Sequence, residues 1–150
     1  MLSLRERVDA DIATVMSWIP DERALYLFTG PRLVWPLTVD QLAAMTVTSE
    51  ISAWVMVDDE SLVIGHFDLT LADDTARIGR VIVDPAERGR GYGGALVSLA
   101  VERARSLGAR RVALNVIADN APAIATYEQA GFRQLPGGDR PDVRSMALTL

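Results

Sequence analysis

Strand-like segments rich in apolar residues follow one another through the middle of the chain. The pattern covers residues 51–57, 62–71 and 76–83, and short polar turns at 58–60 and 72–74 separate these segments. Strands joined by such short turns run antiparallel, because a parallel connection needs a crossover of a dozen residues or more. The middle of the chain is therefore predicted to form a three-stranded antiparallel meander.

Helical periodicity marks the segments on both sides of the meander. The predicted helices cover residues 9–19, 21–28, 38–46, 95–107 and 120–130. Asp9 or Asp11 is expected to cap the first of these helices, and Asn120 the last. The apolar stripe of the fourth helix consists of Leu96, Leu99, Ala100, Ala104 and Leu107.

Four more segments resemble strands, namely residues 2–7, 111–117, 132–135 and 143–150. Residues 29–38 and 136–141 are predicted to be loops, because glycines and prolines interrupt them. A chain of 150 residues is the length of one domain, and such a chain buries about 70% of its unfolded surface. No repeat or linker divides it, so residues 1–150 are predicted to form a single α/β domain.

Composition and charge exclude several classes of protein. The chain is 49% hydrophobic and 23% charged, which is typical of a globular domain. Its net charge of −5 argues against binding to nucleic acid, which requires a basic surface. That charge is compatible with a cationic acceptor, although ordinary solubility explains it more simply. All fifteen basic residues are arginine, so no lysine is present to form a Schiff base.

The chain contains no cysteine. It therefore has no disulfide framework, no thiolate zinc site and no thiol nucleophile, and we predict no metal site. The first residues lack the basic and apolar regions of a signal peptide, and no apolar run is long enough to span a bilayer. These features predict a soluble cytoplasmic protein without membrane contact.

A glycine-rich turn at residues 88–94 has the composition of an anion-binding site. Its four glycines allow close approach of a ligand to main-chain amides at a helix N-terminus, and two arginines add donors suited to phosphate. Gly89, Gly91 and Gly94 also match the dinucleotide pattern G-x-G-x-x-G. However, five residues separate the preceding strand from the first glycine, whereas a dinucleotide fingerprint follows its strand directly. A flexible surface turn is the structural alternative.

Two motifs at the correct spacing resemble those of the GNAT acetyltransferases. The first is the strand 81–83 with Asp84-Pro85, followed by Arg88-x-x-Gly91-x-Gly93-Gly94. The second is Leu114-Asn115-Val116 followed by Asn120-x-Pro122-Ala123-x-x-x-Tyr127-x-x-x-Gly131-Phe132. The matches extend over residues 76–135. The resemblance implies a mixed, mostly antiparallel sheet of about seven strands, flanked by helices and splayed between its fourth and fifth strands.

The resemblance also implies acetyl-CoA as co-substrate and a set of residues that bind it. Main-chain groups of the bulged strand would hold the pantetheine arm, the glycine-rich turn would hold the pyrophosphate, and the second motif would contact the arm. The implied cofactor-binding residues are Val81, Ile82, Val83, Arg88, Gly89, Arg90, Gly91, Tyr92, Gly93, Gly94, Asn120 and Tyr127.

The resemblance also implies residues for catalysis, namely a general acid and, in some members of the family, a general base. The Tyr127 hydroxyl would be the general acid that protonates the departing CoA thiolate. Relatives that acetylate protein N-termini place a glutamate where this chain has Asn115, and an amide cannot accept the proton. His66 is the only histidine and shares a strand face with Asp68 by alternation. We consider it a candidate base or water relay, with a structural histidine as the alternative.

We therefore expect an N-acetyltransferase that moves the acetyl group directly to a primary amine of a small molecule or a peptide. The acceptor would bind between the first helices, the loop 29–38 and the last strands. One alternative is a non-catalytic acyl-CoA sensor or interaction domain with the same fold, and another is a nicotinamide oxidoreductase. The sequence does not set the oligomeric state, and a homodimer is compatible with it.

Overall fold

Seven strands assemble into one sheet in a computed structural model that describes residues 1–46, 50–136 and 140–150. The strands are β1 (Ser3–Glu6), β2 (Ile51–Val57), β3 (Val63–Ala72), β4 (Thr75–Val83), β5 (Arg111–Ile117), β6 (Arg133–Gln134) and β7 (Val143–Thr149). Across the sheet their order is β1-β2-β3-β4-β5-β7-β6. The strands of each neighbouring pair run antiparallel, except that β4 and β5 run parallel. The predicted mixed, mostly antiparallel sheet is confirmed.

Helices connect the strands on both sides of the sheet. The helices are α1 (Asp9–Met16), α2 (Glu22–Thr29), α3 (Val39–Ala44), α4 (Tyr92–Ser106) and α5 (Ala121–Gln129), with short 3-10 helices at Gly30–Arg32 and Pro85–Glu87. The crossover from β4 to β5 runs through α4, as a parallel connection requires. No helix within the described residues combines the length and the hydrophobicity needed to traverse a lipid bilayer.

The central strands bury both of their faces. On β2, Trp54 and Met56 belong to a core cluster that includes α4 and α5, whereas Val55 and Val57 belong to a second cluster with α1, α2 and α3. Successive side chains of a strand point to opposite faces of the sheet, so one apolar strand supplies both layers. The sheet therefore lies between two helical layers with separate cores.

Two local predictions about the helices differ from the structure. Neither Asp9 nor Asp11 is the N-cap of α1: the cap position is Val8, and the Asp11 carboxylate, one turn inside the helix, accepts the Val8 N–H at 2.8 Å. That carboxylate also pairs with the Arg5 guanidinium at 2.7 Å. Leu107 lies after the end of α4 and is 40% exposed, so it does not extend the apolar stripe.

The segment predicted as the loop 29–38 includes the 3-10 helix Gly30–Arg32. Within the predicted loop 136–141, residues 137–139 lie outside the described part of the chain. The predicted cap at Asn120 is confirmed, because its Oδ1 accepts the Ala123 N–H.

Candidate active site

A gap opens between β4 and β5, the two parallel strands. Their pairing ends where Ile78 lies opposite Leu114, although β4 continues to Val83 and β5 continues to Ile117. The sheet is therefore splayed between its fourth and fifth strands, as the resemblance implied. A splay leaves main-chain donors and acceptors of both strands available to a ligand.

The register of β4 determines which of its main-chain groups face the gap. The Asp84 N–H donates to the Ile64 carbonyl at 2.7 Å, and in an antiparallel pair every second residue turns its main-chain groups toward the same neighbour. Ile82 therefore turns its groups toward β3. Val81 and Val83 turn theirs toward the gap, where they are positioned to bind an extended ligand.

A β-bulge in β4 lies next to the point where the strands separate. The pairing register with β3 shifts between His66 and Asp68, so that Arg80 and Val81 together oppose Phe67. Arg80 has a positive φ of 48°, a conformation that costs a non-glycine residue about 1–3 kcal/mol. Compensating contacts are therefore needed to hold the bulge.

Two buried side chains of β3 supply those contacts. The Asp68 carboxylate binds the Arg80 guanidinium through both oxygens, one of them accepting from Nη2 at 2.7 Å. The His66 Nδ1 lies 2.8 Å from the Arg80 carbonyl oxygen, so this nitrogen carries the proton and donates it. These contacts hold the main chain that presents Val81 to the gap.

His66 has a different environment from that expected of a base. Its side chain has no exposed surface, and its Nε2 lies 3.1 Å from Arg7 Nη1, which donates to it. Burial, with Arg7 and Arg80 adding to the effect, lowers the pKa of His66 to about 3. A nitrogen whose lone pair is already bound by a guanidinium is poorly placed to accept a proton, so we propose a structural role for His66.

The low pKa of His66 predicts that acid destabilises the protein. Because only the unfolded state protonates this histidine between its unfolded pKa of about 6.5 and about 3, the free energy of unfolding falls as the pH drops through that range. We expect a loss of about 2 kcal/mol between about pH 7.5 and about pH 5. Urea unfolding at several pH values would measure it.

The His66→Gln variant is the control for this prediction. A glutamine can keep both hydrogen bonds and does not titrate, so its stability should change little over the same pH range. Carboxylates with lowered pKa values, such as Asp11, act mainly below that range. An equal pH dependence in both proteins would contradict the assignment.

The glycine-rich turn has the main-chain conformation of an anion-binding loop. Gly89 and Gly91 have φ values of 83° and 80°, which disfavour other residues, and Gly91 is the N-cap of α4. A methyl group added at either position or at Gly94 would meet no atom within 4 Å. The turn therefore exposes its amides at the positive end of a helix with open space before them.

The two arginines of the turn differ in their partners. The Arg90 guanidinium lies 3.2 Å from the Glu87 carboxylate within the same turn, whereas Arg88 has no ion pair within the described part of the chain. Both residues are exposed. Arg88 is therefore the more available of the two for a phosphate group.

Asn120 and Tyr127 lie two turns apart at the same side of α5, and both line a cleft that enters the gap. Tyr127 is only 6% exposed and packs against Phe132, with ring centroids 5.9 Å apart. Burial raises the pKa of the Tyr127 hydroxyl. The phenol therefore keeps its proton until a strong base approaches.

The cleft passes between the two layers of the protein through the splayed strands. It has a volume of about 170 Å³ and is lined by Phe28 from the α1–α3 core and by Tyr127 from the α4–α5 core, together with Val81 and Val116. Because residues of both cores line it, two ligands can meet there from opposite faces of the sheet. Such an arrangement suits a transfer reaction between them.

Of the residues predicted from the motifs, Val81, Asn120 and Tyr127 come together in this cleft. The glycine-rich turn lies beside it: a methyl group at Gly93 would be 3.7 Å from Thr126, the neighbour of Tyr127 in α5. The Ile82 side chain instead packs against the α1–α3 core. His66 does not belong to the described lining.

Sequence reasoning did not identify the arginines of the cleft. Arg32, Arg77, Arg80 and Arg140 all line it. Arg77 lies between the buried Ala76 and Ile78 on β4. This alternation was the only feature of the sequence that could have identified Arg77 as a cleft residue. Asn115 also lines the cleft, and its Oδ1 accepts a hydrogen bond from the Ser145 hydroxyl at 2.8 Å.

Within residues 1–46, 50–136 and 140–150, no three His, Cys, Asp or Glu side chains lie close enough together to share a metal ion. The arrangement just described therefore consists of main-chain amides, a buried phenol, amide side chains and arginines.

Known proteins similar to this chain include several acetyltransferases. Mycothiol acetyltransferase of Corynebacterium glutamicum (strain R) is 43% identical over 75 residues, which are 50% of this chain and 26% of that protein. A putative ribosomal protein bS18-alanine N-acetyltransferase of Bacillus subtilis is 28% identical over 105 residues, 70% of this chain and 68% of that protein. The chain thus spans about a quarter of the length of the mycothiol acetyltransferases it matches.

Solved structures share the whole fold at low sequence identity. Spermidine N-acetyltransferase of Vibrio cholerae in complex with CoA and spermine aligns with a TM-score of 0.80 and 20% identity, over 99% of this chain and 95% of that one. A domain from Methanocaldococcus jannaschii aligns with a TM-score of 0.82 and 17% identity, over 100% and 99% of the two chains. These similarities establish the fold.

The model of the acetyltransferase (GNAT) family matches residues 16–132. This range contains both motifs, the bulged strand and the gap between β4 and β5. The chain therefore belongs to the acetyltransferase (GNAT) family, whose members use acetyl-CoA as co-substrate.

Proposed function

We propose that this protein is an acetyl-CoA-dependent N-acetyltransferase that transfers the acetyl group directly to a primary amine. The observation that carries the proposal is the cleft through the splayed strands, which joins the two faces of the sheet and contains Val81, Asn120 and Tyr127. In such a cleft a thioester and an amine can meet without a covalent acetyl-enzyme. The absence of cysteine agrees with direct transfer.

The residues of the chain fit the co-substrate. Amides of the turn 88–94 and the Arg88 guanidinium would hold the pyrophosphate, because this turn combines positive-φ glycines, a helix N-terminus and open space. The free main-chain groups of Val81 and Val83, together with Asn120, would hold the pantetheine arm. Acetyl-CoA supplies a thioester, whose carbonyl carbon is the electrophile.

Four events make up the transfer: the amine bonds to the carbonyl carbon, the carbon–sulfur bond breaks, the thiolate gains a proton and the amine nitrogen loses one. The chain supplies a group for the first and the third of them. As the amine nitrogen bonds to the carbonyl carbon, the Val81 N–H stabilises the negative charge that develops on the oxygen, a contribution of about 3 kcal/mol when such a donor is preorganised. The carbon–sulfur bond then breaks. Tyr127 donates its proton to the departing thiolate, and the low polarity that raises the pKa of Tyr127 also makes the thiolate more basic.

The amine also loses a proton, and the chain offers no carboxylate for it at position 115. Asn115 is an amide bonded to Ser145, and His66 is buried behind the bulge. We propose that the amine binds in its neutral form and that its nitrogen, once bonded to the carbonyl carbon, loses one proton to solvent through the open cleft. After CoA leaves, solvent returns a proton to the Tyr127 phenolate.

A non-catalytic acyl-CoA sensor is the second candidate, because position 115 offers no carboxylate base. A sensor would need the turn and the gap but no base, and Asn115 agrees with that requirement. A nicotinamide oxidoreductase no longer competes, because the sheet is mostly antiparallel and the helix Pro85–Glu87 separates β4 from the glycines.

Release of free CoA thiol in the presence of a panel of primary amines distinguishes the two candidates. We expect amine-dependent release, with the acetylated amine identified by mass spectrometry. Binding of CoA by calorimetry without release from any amine would favour the sensor and contradict the enzyme. Two points stay predictions: one acetyltransferase domain over residues 1–150 and a cytoplasmic location.

A further inference from the structure

The side of the cleft that faces α2 is rich in positive charge. Arg32, Arg77, Arg80 and Arg140 line it, and no aspartate or glutamate is among its lining residues in the described part of the chain. This local charge is opposite to the overall net charge of −5. The acceptor site therefore has an electrostatic character that the composition does not indicate.

Two of these arginines already have partners. The Arg80 guanidinium donates from Nε and Nη2 to the two oxygens of the Asp68 carboxylate, with the two side chains 12% and 2% exposed. Arg140 lies 3.4 Å from the Asp142 carboxylate, which also accepts the Tyr26 hydroxyl. These two arginines contribute to structure, and their charge is offset.

Arg32 and Arg77 have no such compensation. Neither forms an ion pair with any residue in the ranges 1–46, 50–136 and 140–150, and both are exposed at the cleft. Arg32 ends the short helix Gly30–Arg32 and Arg77 lies on β4 before the bulge, so two separate elements bring them to one cavity. Two uncompensated guanidinium groups beside a cleft are a receptor for an anionic group.

We propose that the acceptor is a small primary amine that also carries a carboxylate, and that Arg32 and Arg77 bind this carboxylate. This inference rests on the proposed function and names the substrate class of the same site. The cleft of about 170 Å³ accommodates a molecule the size of an amino acid. A polyamine would instead bring further positive charge to the two arginines.

The same charges account for the missing base. A positive charge near an ammonium group lowers its pKa, because like charges disfavour the charged form. The arginines of the cleft therefore increase the neutral fraction of the amine that enters it. The carboxylate of the acceptor keeps the molecule bound while its neutral amine attacks the thioester.

Matched pairs of acceptors test the proposal. We would measure kcat/KM for glycine against glycinamide, alanine against alaninamide and β-alanine against its amide, with spermidine as a polycation. The carboxylate member of the preferred pair should be better by about tenfold or more, because a charge-assisted hydrogen bond is lost in the amide. Its KM should rise with salt.

Two variants assign the effect to the arginines. Arg32→Gln and Arg77→Gln should each raise KM for the carboxylate acceptor by about tenfold and leave KM for acetyl-CoA and for the matched amide unchanged. Arg110→Gln removes the same charge from an exposed position outside the cleft and should change neither. Circular dichroism and the melting temperature would verify that the variants fold.

The outcomes separate this inference from the proposed function. Equal rates for acids and amides, a preference for spermidine, or an unchanged KM in both arginine variants would overturn the carboxylate site while the acetyltransferase stands. No thiol release with any amine, despite CoA binding, would reject the enzyme and with it the acceptor site.

Discussion

Replacement of Tyr127 by phenylalanine is expected to lower kcat by about a hundredfold or more, with little change in the affinity for CoA. The substitution removes only the hydroxyl and keeps the ring that packs against Phe132. Without the phenol, the CoA thiolate must leave unprotonated. Burial disfavours this charge, since Tyr127 is only 6% exposed. Steady-state kinetics together with calorimetric titration of CoA would measure both quantities.

Tyr26→Phe is a matched control for this variant. It removes another tyrosine hydroxyl, one that donates to Asp142 at 2.7 Å outside the cleft lining, and kcat should stay at the wild-type value. If Tyr127→Phe also kept the wild-type kcat, Tyr127 would have no role as an acid. If it lost CoA binding in proportion to kcat, the hydroxyl would be a binding group instead.

Replacement of Gly91 by valine is expected to raise KM for acetyl-CoA by about tenfold or more. Gly91 has a φ of 80° and a side chain there would project into the space before the helix N-terminus. A branched side chain would both displace the phosphate and strain the main chain. Kinetics and CoA titration would quantify the loss.

Gly108→Val separates the two effects. Gly108 follows the other end of α4, has a φ of 93° and likewise has no neighbour within 4 Å of an added methyl group. It therefore carries a comparable strain far from the turn. We expect similar decreases in melting temperature for the two variants and a loss of CoA affinity for Gly91→Val alone. Equal CoA affinity in both would remove the phosphate role of the turn.

Local patterns predicted the regular elements well where both layers of the protein cover them. The predicted strands 51–57 and 111–117 coincide with β2 and β5, because short, mostly apolar runs bounded by polar turns suit strands that are buried on both faces. The predicted cap of α1 was wrong because Asp11 serves two partners, the Val8 N–H and Arg5. A choice among nearby carboxylates depends on which one meets the guanidinium of the preceding strand.

The candidate site was predictable only in part. The seven-residue spacing of Asn120 and Tyr127 indicates one side of one helix, and the structure has both at the cleft. The environment of His66 was not predictable from alternation on β3. Its two nitrogens are bound by Arg7 and by the Arg80 carbonyl, and these residues lie just after β1 and on β4.

The amino-acid sequence by itself determined the order of helices and strands, the glycines that permit positive φ at the turn, and the two motifs of the acetyltransferase (GNAT) family. These properties depend on conformational preferences and periodicities within a few consecutive residues. Only the tertiary structure decided that the β4 bulge is held by His66 and Asp68, and that Arg32 and Arg77 face one cleft. Such contacts join residues far apart in the chain, and their geometry depends on how strands pair and where that pairing stops.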